Sequence, residues 1–512
     1  MINITLDFGA KGDGKTINTL AINNAIKTCH DEGGGTVFIP HGNFVSGTMV
    51  LLSNVHLYLG GGAVISGSKD TSDYLSLETR LFSTEGYNRY GMIYAKNAKN
   101  ISITGEGEIN GNGTYFMNSL DKAKLGKDYD RKFIRQGEDF MKPGTVFEDG
   151  PLTYPFRPGL LMTISHCENV QIKDITIKDS PEWTVRIADC DDVKITGVTI
   201  SNNPLLPNND GIHCTVSSNV IIANCTIVTG DDGIIVTGFG RDASPETKTN
   251  TSFLYGNKTG YSENVTVSNC ILSSRSACIR IGYGDHPIRN VVFSNLVMYA
   301  SNRGIGIFSR NNSSIENIHF SNIVIHTRMH SGHWWGKGEP IHLSAVKNKQ
   351  AGNAGKIRNI RFSDITATSE TGIVIQGSKE SIIENISMDR IKLTINKGKY
   401  TDSYGGNFDL RPAYPMNIAI FKHDIPGVYA QHISNLKISG FELGWGSGLP
   451  SFFTNGIELD QFADVTIANA DITPSSKAAG LAAIVLTNGT NASVINCSTK
   501  KGFQLVKKTY VQ

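Results

Sequence analysis

The chain has 512 residues, of which 39% are hydrophobic and 18% are charged, and it contains 54 glycines. This composition is typical of a soluble globular protein with many turns. The formal net charge of +2 is close to zero, which argues against a nucleic-acid partner and against electrostatic attraction to a membrane surface. The sequence also has no run of about 18 apolar residues that could span a bilayer.

A helix is predicted close to the N-terminus. The first residues, MINITLDFGAKGDG, lack the basic and apolar regions of a signal peptide, so none is expected in this sequence. The segment at residues 18–29, NTLAINNAIKTC, follows an Asn/Thr start signal with apolar residues at helical spacing, which are Ile22, Ala25, Ile26 and Cys29. We expect this helix to cap the open strand edge at one end of a β-structure.

A nine-residue unit recurs along most of the chain. Each copy begins with Asn or Asp and continues with alternating apolar residues, as in NVQIKDITI and NVTVSNCIL. The copies begin at Asn100, Asn169, Asp192, Asn219, Asn264, Asn290, Asn317, Asn359, Asn385, Asn435 and Asp464. From residue 169 onward, copies without an insertion between them lie 23 to 29 residues apart.

This pattern predicts an all-β fold. Period-two alternation broken by turn residues indicates short strands, and a strand unit that returns at a fixed interval buries its apolar face by stacking on the next copy. The sequence therefore predicts a parallel β-solenoid that forms one domain over residues 1–512. Insertions at about 113–158, 239–262, 328–356 and 396–430 are expected to be loops that wall a cleft for an extended ligand.

Neither the cysteines nor the histidines form a metal motif. The eight cysteines include no CxxC pair, so we expect buried free thiols rather than a zinc or redox site. His330, His333 and His342 lie near one another in sequence but lack zinc-ligand spacing. No metal and no cofactor are expected.

Three aspartates stand out within PLLPNNDGIHC and GDDG. Asp210 precedes Asp231 by 21 residues and Asp232 by 22, which is close to one repeat. Neighbouring turns of a solenoid lie about 4.8 Å apart, so the three carboxyl groups are expected to form a cluster. Crowded carboxyl groups can hold different protonation states, as an acid and a base in one site require. NNDG and GDDG are also common turn sequences, but their spacing favours the acid–base interpretation.

These motifs resemble those of a known family. The segments DFGAKGDGKT, GGGTVFIPHGNF and SPEWTV, together with NNDG and GDDG, are similar to those of glycoside hydrolase family 28, the polygalacturonases. The resemblance implies a right-handed parallel β-helix and hydrolysis of pectin chains with inversion. It also implies that Asp231 protonates the leaving oxygen while Asp210 and Asp232 activate water. No metal is implied.

The sequence departs from that family at positions associated with the substrate. Ala277 stands where the family carries the histidine of its GHG motif, and Thr237 stands in place of a lysine. Gly306 and Phe308 replace a basic pair that is associated with the galacturonate carboxylate, and neither residue can make a charge-assisted bond. We expect a specificity shifted away from plain polygalacturonate.

Four other residues are candidates for substrate binding. Arg280 and Arg303 could supply cations, although Arg280 could instead be an outward residue or part of a structural ion pair. His213 could line the cleft or belong to a hydrogen-bond network. Trp335, next to Trp334, could stack on a sugar ring or anchor its loop.

Three functional hypotheses remain open. The first is a glycoside hydrolase acting on a pectin-like or related plant cell-wall polysaccharide or oligosaccharide. The second is a polysaccharide lyase or epimerase on the same fold, and the third is a non-catalytic glycan-binding β-helix. Because polysaccharides lie outside the cell, a secreted or periplasmic location is expected, with a cytoplasmic one as the alternative. A solenoid needs no partner subunit, so a monomer is expected.

Overall fold

The computed structural model describes residues 1–76, 89–122, 152–153, 157–239, 260–331, 334–349, 352–404, 406–415, 419–476 and 478–509. These residues divide into two compact units. The first unit comprises the described residues up to 122 and from 152 to 272, and the second comprises those from 273 to 509. The expectation of a single domain remains a prediction.

The first unit consists mainly of short parallel strands. Its helices are α1 (Ile4–Phe8) and α2 (Thr19–Asp31), and short 3-10 helices lie at Thr71–Asp73 and Gly113–Phe116. Its strands are β1 (Ile2–Asn3), β2 (Asp13–Ile17), β3 (Gly35–Ile39), β4 (Gly42–Ser46), β5 (Met49–Leu51), β6 (Val55–Leu59), β7 (Ala63–Gly67), β8 (Ile93–Lys96), β9 (Lys99–Gly105), β10 (Glu108–Asn110), β11 (Asn118–Lys122), β12 (Leu152–Thr153), β13 (Met162–Ser165), β14 (Glu168–Lys173), β15 (Thr176–Lys178), β16 (Val185–Ala188), β17 (Asp191–Thr196), β18 (Thr199–Ser201), β19 (Ile212–Thr215), β20 (Ser218–Ala223), β21 (Thr226–Thr229), β22 (Ile234–Gly238) and β23 (Ser262–Ser268). Strand β24 (Ile271–Ser274) includes the boundary between the units.

Parallel pairing sorts these strands into three stacks. The first stack contains β1, β3, β6, β9, β14, β17, β20 and β23. The second stack contains β2, β4, β7, β10, β15, β18 and β21. The third stack contains β5, β8, β13, β16, β19 and β22, while β11 and β12 form a separate antiparallel pair. Apolar residues align along each stack, as Ile103, Ile172 and Ile195 do in the first, and they are buried.

The asparagines that begin the repeats form ladders. Asn169 donates its side-chain amide to Asn100 at 2.9 Å, and Asn264 donates to Asn219 at 3.1 Å. All four have a positive φ, a left-handed conformation that asparagine tolerates better than most residues. The repeat therefore begins with Asn because this side chain both permits the turn and bonds to the neighbouring turn.

The predicted capping helix is confirmed. Helix α2 buries the expected apolar face, which consists of Ile22, Ala25, Ile26 and Cys29, and packs against β3 and β5. Asn18 precedes the helix but does not cap it with its side chain. Its Oδ1 instead accepts a hydrogen bond from the Lys11 amide at 2.7 Å, and its Nδ2 donates to the Thr16 carbonyl at 2.7 Å.

The second unit contains longer parallel strands. Its one-turn helix is α3 (Thr401–Tyr404). Its strands are β25 (Ala277–Gly284), β26 (Ile288–Ser301), β27 (Arg303–Ser309), β28 (Ile315–Thr327), β29 (Glu339–Ala345), β30 (Ile357–Ser369), β31 (Ile373–Gln376), β32 (Ile383–Ile395), β33 (Asn407–Asp409), β34 (Ile420–Lys422), β35 (Val428–Ser439), β36 (Glu442–Trp445), β37 (Ile457–Ala468), β38 (Ala482–Thr487), β39 (Thr490–Ile495) and β40 (Gln504–Thr509).

Aligned repeats also build the interior of the second unit. Strands β26, β28, β30 and β32 pair in parallel, and β25, β27, β29 and β31 form a second run. Phe293, Phe320 and Phe362 occupy the same position on successive turns, with ring centroids 4.9 and 5.0 Å apart. Of the predicted insertions, most of 113–158 and most of 239–262 lie outside the described residues.

The sequence predicts no membrane-spanning helix, and it predicts that the cysteines are buried free thiols. Within the described residues, no helix is long and apolar enough to cross a membrane. All eight cysteines are free thiols, and seven are buried, as predicted. The exception is Cys497, which is half-buried because it lies near the C-terminal end of the described chain.

Candidate active site

Asp210 and Asp232 occupy equivalent places on consecutive turns of the first unit. Strand β19 pairs with β22 so that Ile212 lies opposite Ile234, and each aspartate precedes its strand by two residues. The Gly211 amide donates to the Asp232 carbonyl at 2.9 Å, which joins the two turns directly. A side chain at Gly211 would lie 2.3 Å from the Gly233 carbonyl oxygen, so the close approach requires glycine.

Asp231 lies one residue outside that register and is held by Asn209. The Asn209 Oδ1 accepts hydrogen bonds from the amides of Gly230 at 2.6 Å and Asp231 at 3.3 Å. The Asp231 Oδ1 in turn accepts the Asp232 amide at 2.9 Å. Asp210 and Asp232 are buried whereas Asp231 is half-buried, so Asp231 is the most accessible of the three.

A buried arginine clamps the turns that carry this carboxylate cluster, defined as Asp210, Asp231 and Asp232. Arg157 is 1% exposed and forms an ion pair with Glu182, which is also buried. Its Nη1 donates to the carbonyls of Pro181 at 2.7 Å and Pro207 at 2.9 Å, and its Nη2 donates to Asn208 Oδ1 at 3.2 Å. Pro207 and Asn208 lead directly into Asn209 and Asp210. No sequence motif marks Arg157, so its role could not be predicted from the sequence.

Aromatic and basic side chains lie on strands β16 and β19 and just before β16, next to the cluster. Trp183 packs against His213 with ring centroids 4.2 Å apart, and the Arg186 guanidinium lies 5.2 Å from the Trp183 ring. His213 is fully buried, and its Nε2 lies 3.1 Å from Thr237 Oγ1. The structure therefore favours the hydrogen-bond network for His213 over an exposed position in a cleft. Trp183 and Arg186 were not singled out from the sequence.

The second unit contains the other predicted binding residues. Arg280 is 8% exposed, donates to the Gly282 carbonyl at 3.1 Å and lies 5.0 Å from the Tyr283 ring centroid. Arg303 is 2% exposed and lies 3.5 Å from Glu339, which occupies the opposite position on β29. Both guanidinium groups thus have structural contacts of their own.

Arg303 belongs to a packed cluster around Phe308. The guanidinium groups of Arg303 and Arg310 lie 4.9 and 5.2 Å from the Phe308 ring centroid. A side chain at Gly306 would lie 2.6 Å from the Phe308 ring. Gly306 and Phe308, which the family resemblance aligns with a basic pair, are therefore linked, because Phe308 packs where a side chain at position 306 would lie.

Glu339 compensates the charge of Arg303 inside this Phe308 cluster. Burial alone would raise the pKa of Glu339, but Arg303 and His342 outweigh it and lower the pKa to about 2. Burial, followed by Arg303, lowers the pKa of His342 to about 4. At neutral pH, Glu339 is therefore ionised and His342 is uncharged.

The two neighbouring tryptophans have different surroundings. Trp334 is 3% exposed and anchors its segment, whereas Trp335 is 36% exposed. The Arg411 guanidinium lies 5.1 Å from the Trp335 ring centroid, and Asp409 holds it through bonds of 2.8 and 2.9 Å. The Trp335 ring is therefore partly exposed and makes a cation–π contact with Arg411.

The structure brings the three aspartates and His213 together in the first unit. Arg280, Arg303 and Trp335 lie in the second unit. In the part of the chain that the structure describes, no group of three or more His, Cys, Asp or Glu residues could hold a metal ion.

Known proteins share both the fold and the segments that carry this site. Residues 156–405 match the glycosyl hydrolases family 28, and residues 1–121 match the rhamnogalacturonase A/epimerase, pectate lyase-like family. An exo-poly-alpha-D-galacturonosidase of Dickeya chrysanthemi is 29% identical over 278 residues, which cover 50% of this chain and 45% of the relative. A probable polygalacturonase of Vitis vinifera is 30% identical over 240 residues, which cover 45% of this chain and 43% of the relative.

Solved structures show the same fold. The exopolygalacturonase of Thermotoga maritima has a TM-score of 0.60 at 24% identity and covers 77% of this chain and 87% of its own. The family 28 exopolygalacturonase of Yersinia enterocolitica has a TM-score of 0.61 at 20% identity and covers 91% of this chain and 77% of its own.

The fold defines the class of the protein as a right-handed parallel β-helix. Within that class, the chain is polygalacturonase-like, and its residues 156–405 match glycoside hydrolase family 28. The matched segments span less than half the length of the Dickeya and Vitis relatives.

Proposed function

We propose that the protein is an inverting glycoside hydrolase that cleaves a pectin-like or related plant cell-wall polysaccharide or oligosaccharide. The observation that carries the proposal is the register of the carboxylate cluster. Asp210 and Asp232 are equivalent on consecutive turns, whereas Asp231 lies one residue outside that register and is more accessible. This arrangement is consistent with two roles, in which Asp210 and Asp232 act together as the general base and Asp231 acts as the general acid.

In the proposed mechanism, Asp231 protonates the leaving glycosidic oxygen. Asp210 and Asp232 together activate a water molecule that attacks the opposite face of the sugar. Inverting enzymes place acid and base roughly 6.5 to 9.5 Å apart so that water fits between them. Asn209 and Arg157 are proposed to be positioning residues, because they bond to the turns that carry the aspartates.

The contacts around Phe308 support a shifted specificity. In the resembling family a basic pair occupies the places of Gly306 and Phe308, and here Arg303 and Arg310 lie over the Phe308 ring. The charge of Arg303 is compensated by Glu339. We therefore propose that the sugar at the cleaved bond is neutral or decorated. Faster cleavage of such substrates than of polygalacturonate, in a panel of pectic oligosaccharides and aryl glycosides, is the expected result.

The substitution Asp231→Asn tests the catalytic role. Asparagine serves equally well in a turn, so a purely structural role predicts an active protein, whereas loss of a general acid lowers kcat by about 10² to 10⁴. Asp174→Asn is the matched control, because Asp174 also lies in a bend between two strands and lies away from the cluster. Equal activity of both variants would refute the proposal.

Product analysis distinguishes hydrolysis from the lyase alternative. Proton NMR of the first product is expected to show the anomeric configuration opposite to that of the cleaved glycosidic bond. An unsaturated product, detected by ultraviolet absorbance, would establish a lyase instead. A secreted or periplasmic location and a monomeric state complete the proposal, and size-exclusion chromatography with light scattering tests the latter.

A further inference from the structure

A hairpin in the second unit lies outside the parallel stacks. Its strands, β33 and β34, form a separate antiparallel pair in which Phe408 lies opposite Phe421. Both rings pack on Tyr429 of the solenoid strand β35, with centroids 5.2 and 5.9 Å from the Tyr429 ring. Tyr429 is buried beneath them. The hairpin is therefore a strap laid over one strand of the solenoid.

The first strand of this strap, β33, is anchored by donors that act at any pH near neutrality. The Arg310 Nη2 donates to the Leu410 carbonyl at 3.0 Å, and the Lys337 Nζ donates to the Asn407 carbonyl. Burial lowers the pKa of Lys337 to about 7. An amine donates a hydrogen bond with or without its additional proton, so this anchor persists in both states.

The second strand, β34, ends at a histidine that has an oxygen acceptor at each ring nitrogen. His423 Nε2 lies 3.1 Å from Glu458 Oε1, and its Nδ1 contacts the Asp424 carbonyl oxygen. A carbonyl and an ionised carboxylate can only accept, so both nitrogens must carry a proton to bond. A neutral ring has one proton and would direct a lone pair at one of the two oxygens. The geometry thus fits the imidazolium.

Glu458 is held in place as the anionic partner. It lies opposite Tyr429 on the next turn, in β37, and its Oε2 accepts a hydrogen bond from Asn455 at 2.9 Å. Burial alone would raise the pKa of Glu458, but His423, Asn455 and Lys507 outweigh it and lower the pKa. Glu458 therefore stays ionised where the histidine titrates.

The other groups around His423 add little charge of their own. Its ring lies 4.4 Å from that of Tyr429, and burial raises the pKa of Tyr429, which keeps the phenol neutral. The preceding residue, Lys422, is exposed. Burial alone would lower the pKa of His423, but Glu458 and Asp424 outweigh it and raise the pKa. Stabilisation by a raised histidine pKa is present at low pH and is lost as pH rises through that pKa.

We propose that His423 and Glu458 form a pH-sensitive latch for the strap. The protonated imidazole ties the end of β34 to β37, and loss of the ring proton lets β34 open more often while β33 stays anchored. Opening uncovers Tyr429, which the strap otherwise buries. The latch is a property of the folded chain and does not depend on the proposed hydrolysis.

Hydrogen exchange of the β34 amides, read by mass spectrometry at about pH 5.5 and about pH 8.5, tests the latch. Protection factors, corrected for intrinsic exchange, are expected to fall about tenfold at the higher pH, which corresponds to one unit of pKa difference. In Glu458→Gln, protection should be low at both pH values. Glu316→Gln is the matched control, because it removes a half-buried carboxylate whose partner, Arg358, does not titrate in this range.

NMR titration of ring-labelled histidine, with the signal assigned by His423→Gln, measures the proton itself. The His423 pKa is expected above its ordinary value of 6.5, and lower in Glu458→Gln than in the wild type. A wild-type pKa at or below 6.5, or equal protection of β34 at both pH values, would overturn the proposal. A fall in protection that persists in Glu458→Gln would do the same.

Discussion

Replacing Arg157 with methionine, alone and together with Glu182, should distinguish two effects of Arg157. One is its contribution to the stability of the first unit, and the other is its positioning of the carboxylate cluster. Arg157 is buried with Glu182 and bonds to Pro181, Pro207 and Asn208. Arg157→Met removes the ionic partner of a buried carboxylate, which costs about 3 to 5 kcal/mol in the free energy of unfolding. We expect a loss of that size.

The double variant Arg157→Met with Glu182→Met tests the cause of the loss. Replacing both charges with apolar groups should recover about half of the lost stability, because no buried charge remains. The carbonyls of Pro181 and Pro207 still lose their donor, at about 1 kcal/mol each or more. The turn that leads to Asp210 therefore stays loose, and we expect kcat/KM to remain at least about tenfold below wild type.

Urea unfolding followed by fluorescence measures stability, and Trp183 is the one tryptophan among the four that lies in the first unit. Activity is measured in the absence of urea, well below the unfolding transition, so that lost activity does not reflect lost folded protein. Full activity in the double variant would show that Arg157 only balances charge. Wild-type stability in the single variant would contradict the buried clamp itself.

Three further outcomes are expected. Asn209→Ala removes the acceptor of two amides in the Asp231 turn and should lower kcat at least tenfold with little change in KM, as steady-state kinetics can show. Gly306→Ala should lower the melting temperature, because the added methyl group meets the Phe308 ring. The drop should be smaller when Gly306→Ala is added to Phe308→Ala than when it is added to the wild type, as a double-mutant cycle can show. Burial raises the pKa of Glu370 to about 7, so the free energy of unfolding should fall as pH rises from about 4.5 to 7. Glu370→Gln should abolish that fall in denaturation curves recorded across this range. A fall that persists in the variant would contradict the assignment to Glu370.

The direction and the size of the stability change attributed to Glu370 follow from proton linkage. The carboxyl group of the unfolded chain ionises near its ordinary pKa of 4.5, whereas the folded one keeps its proton until higher pH. Between these values the folded state binds more protons, so rising pH favours unfolding. A pKa shift from 4.5 to about 7 corresponds to roughly 3 kcal/mol.

Much of the architecture could be predicted because it is encoded locally. Each repeat begins with an asparagine that adopts a left-handed turn and bonds to its counterpart on the next turn, as Asn169 does to Asn100. Alternating apolar residues then form a strand with one buried face. Helix α2 shows its amphipathic face within a single segment, and the spacing of Asp210 and Asp232 places them on consecutive turns.

Contacts between distant segments could not be read in this way. Arg157 meets Pro207 fifty residues later, and Arg310 bonds to the Leu410 carbonyl one hundred residues later. Such pairs depend on the path of the intervening chain, which no local pattern encodes. The sequence also gave no sign that His213 would be buried against Trp183, or that Trp334 would be buried while Trp335 stays partly open.

By itself, then, the sequence determined the repeat, its strands, its capping helix and the turns that carry the aspartates, because these depend on propensity and periodicity within about one turn of the solenoid. Only the tertiary structure decided which side chains clamp those turns, which cations are already paired, and which strand the β33–β34 hairpin covers. These depend on packing between segments far apart in sequence, where burial and charge compensation act on the assembled chain.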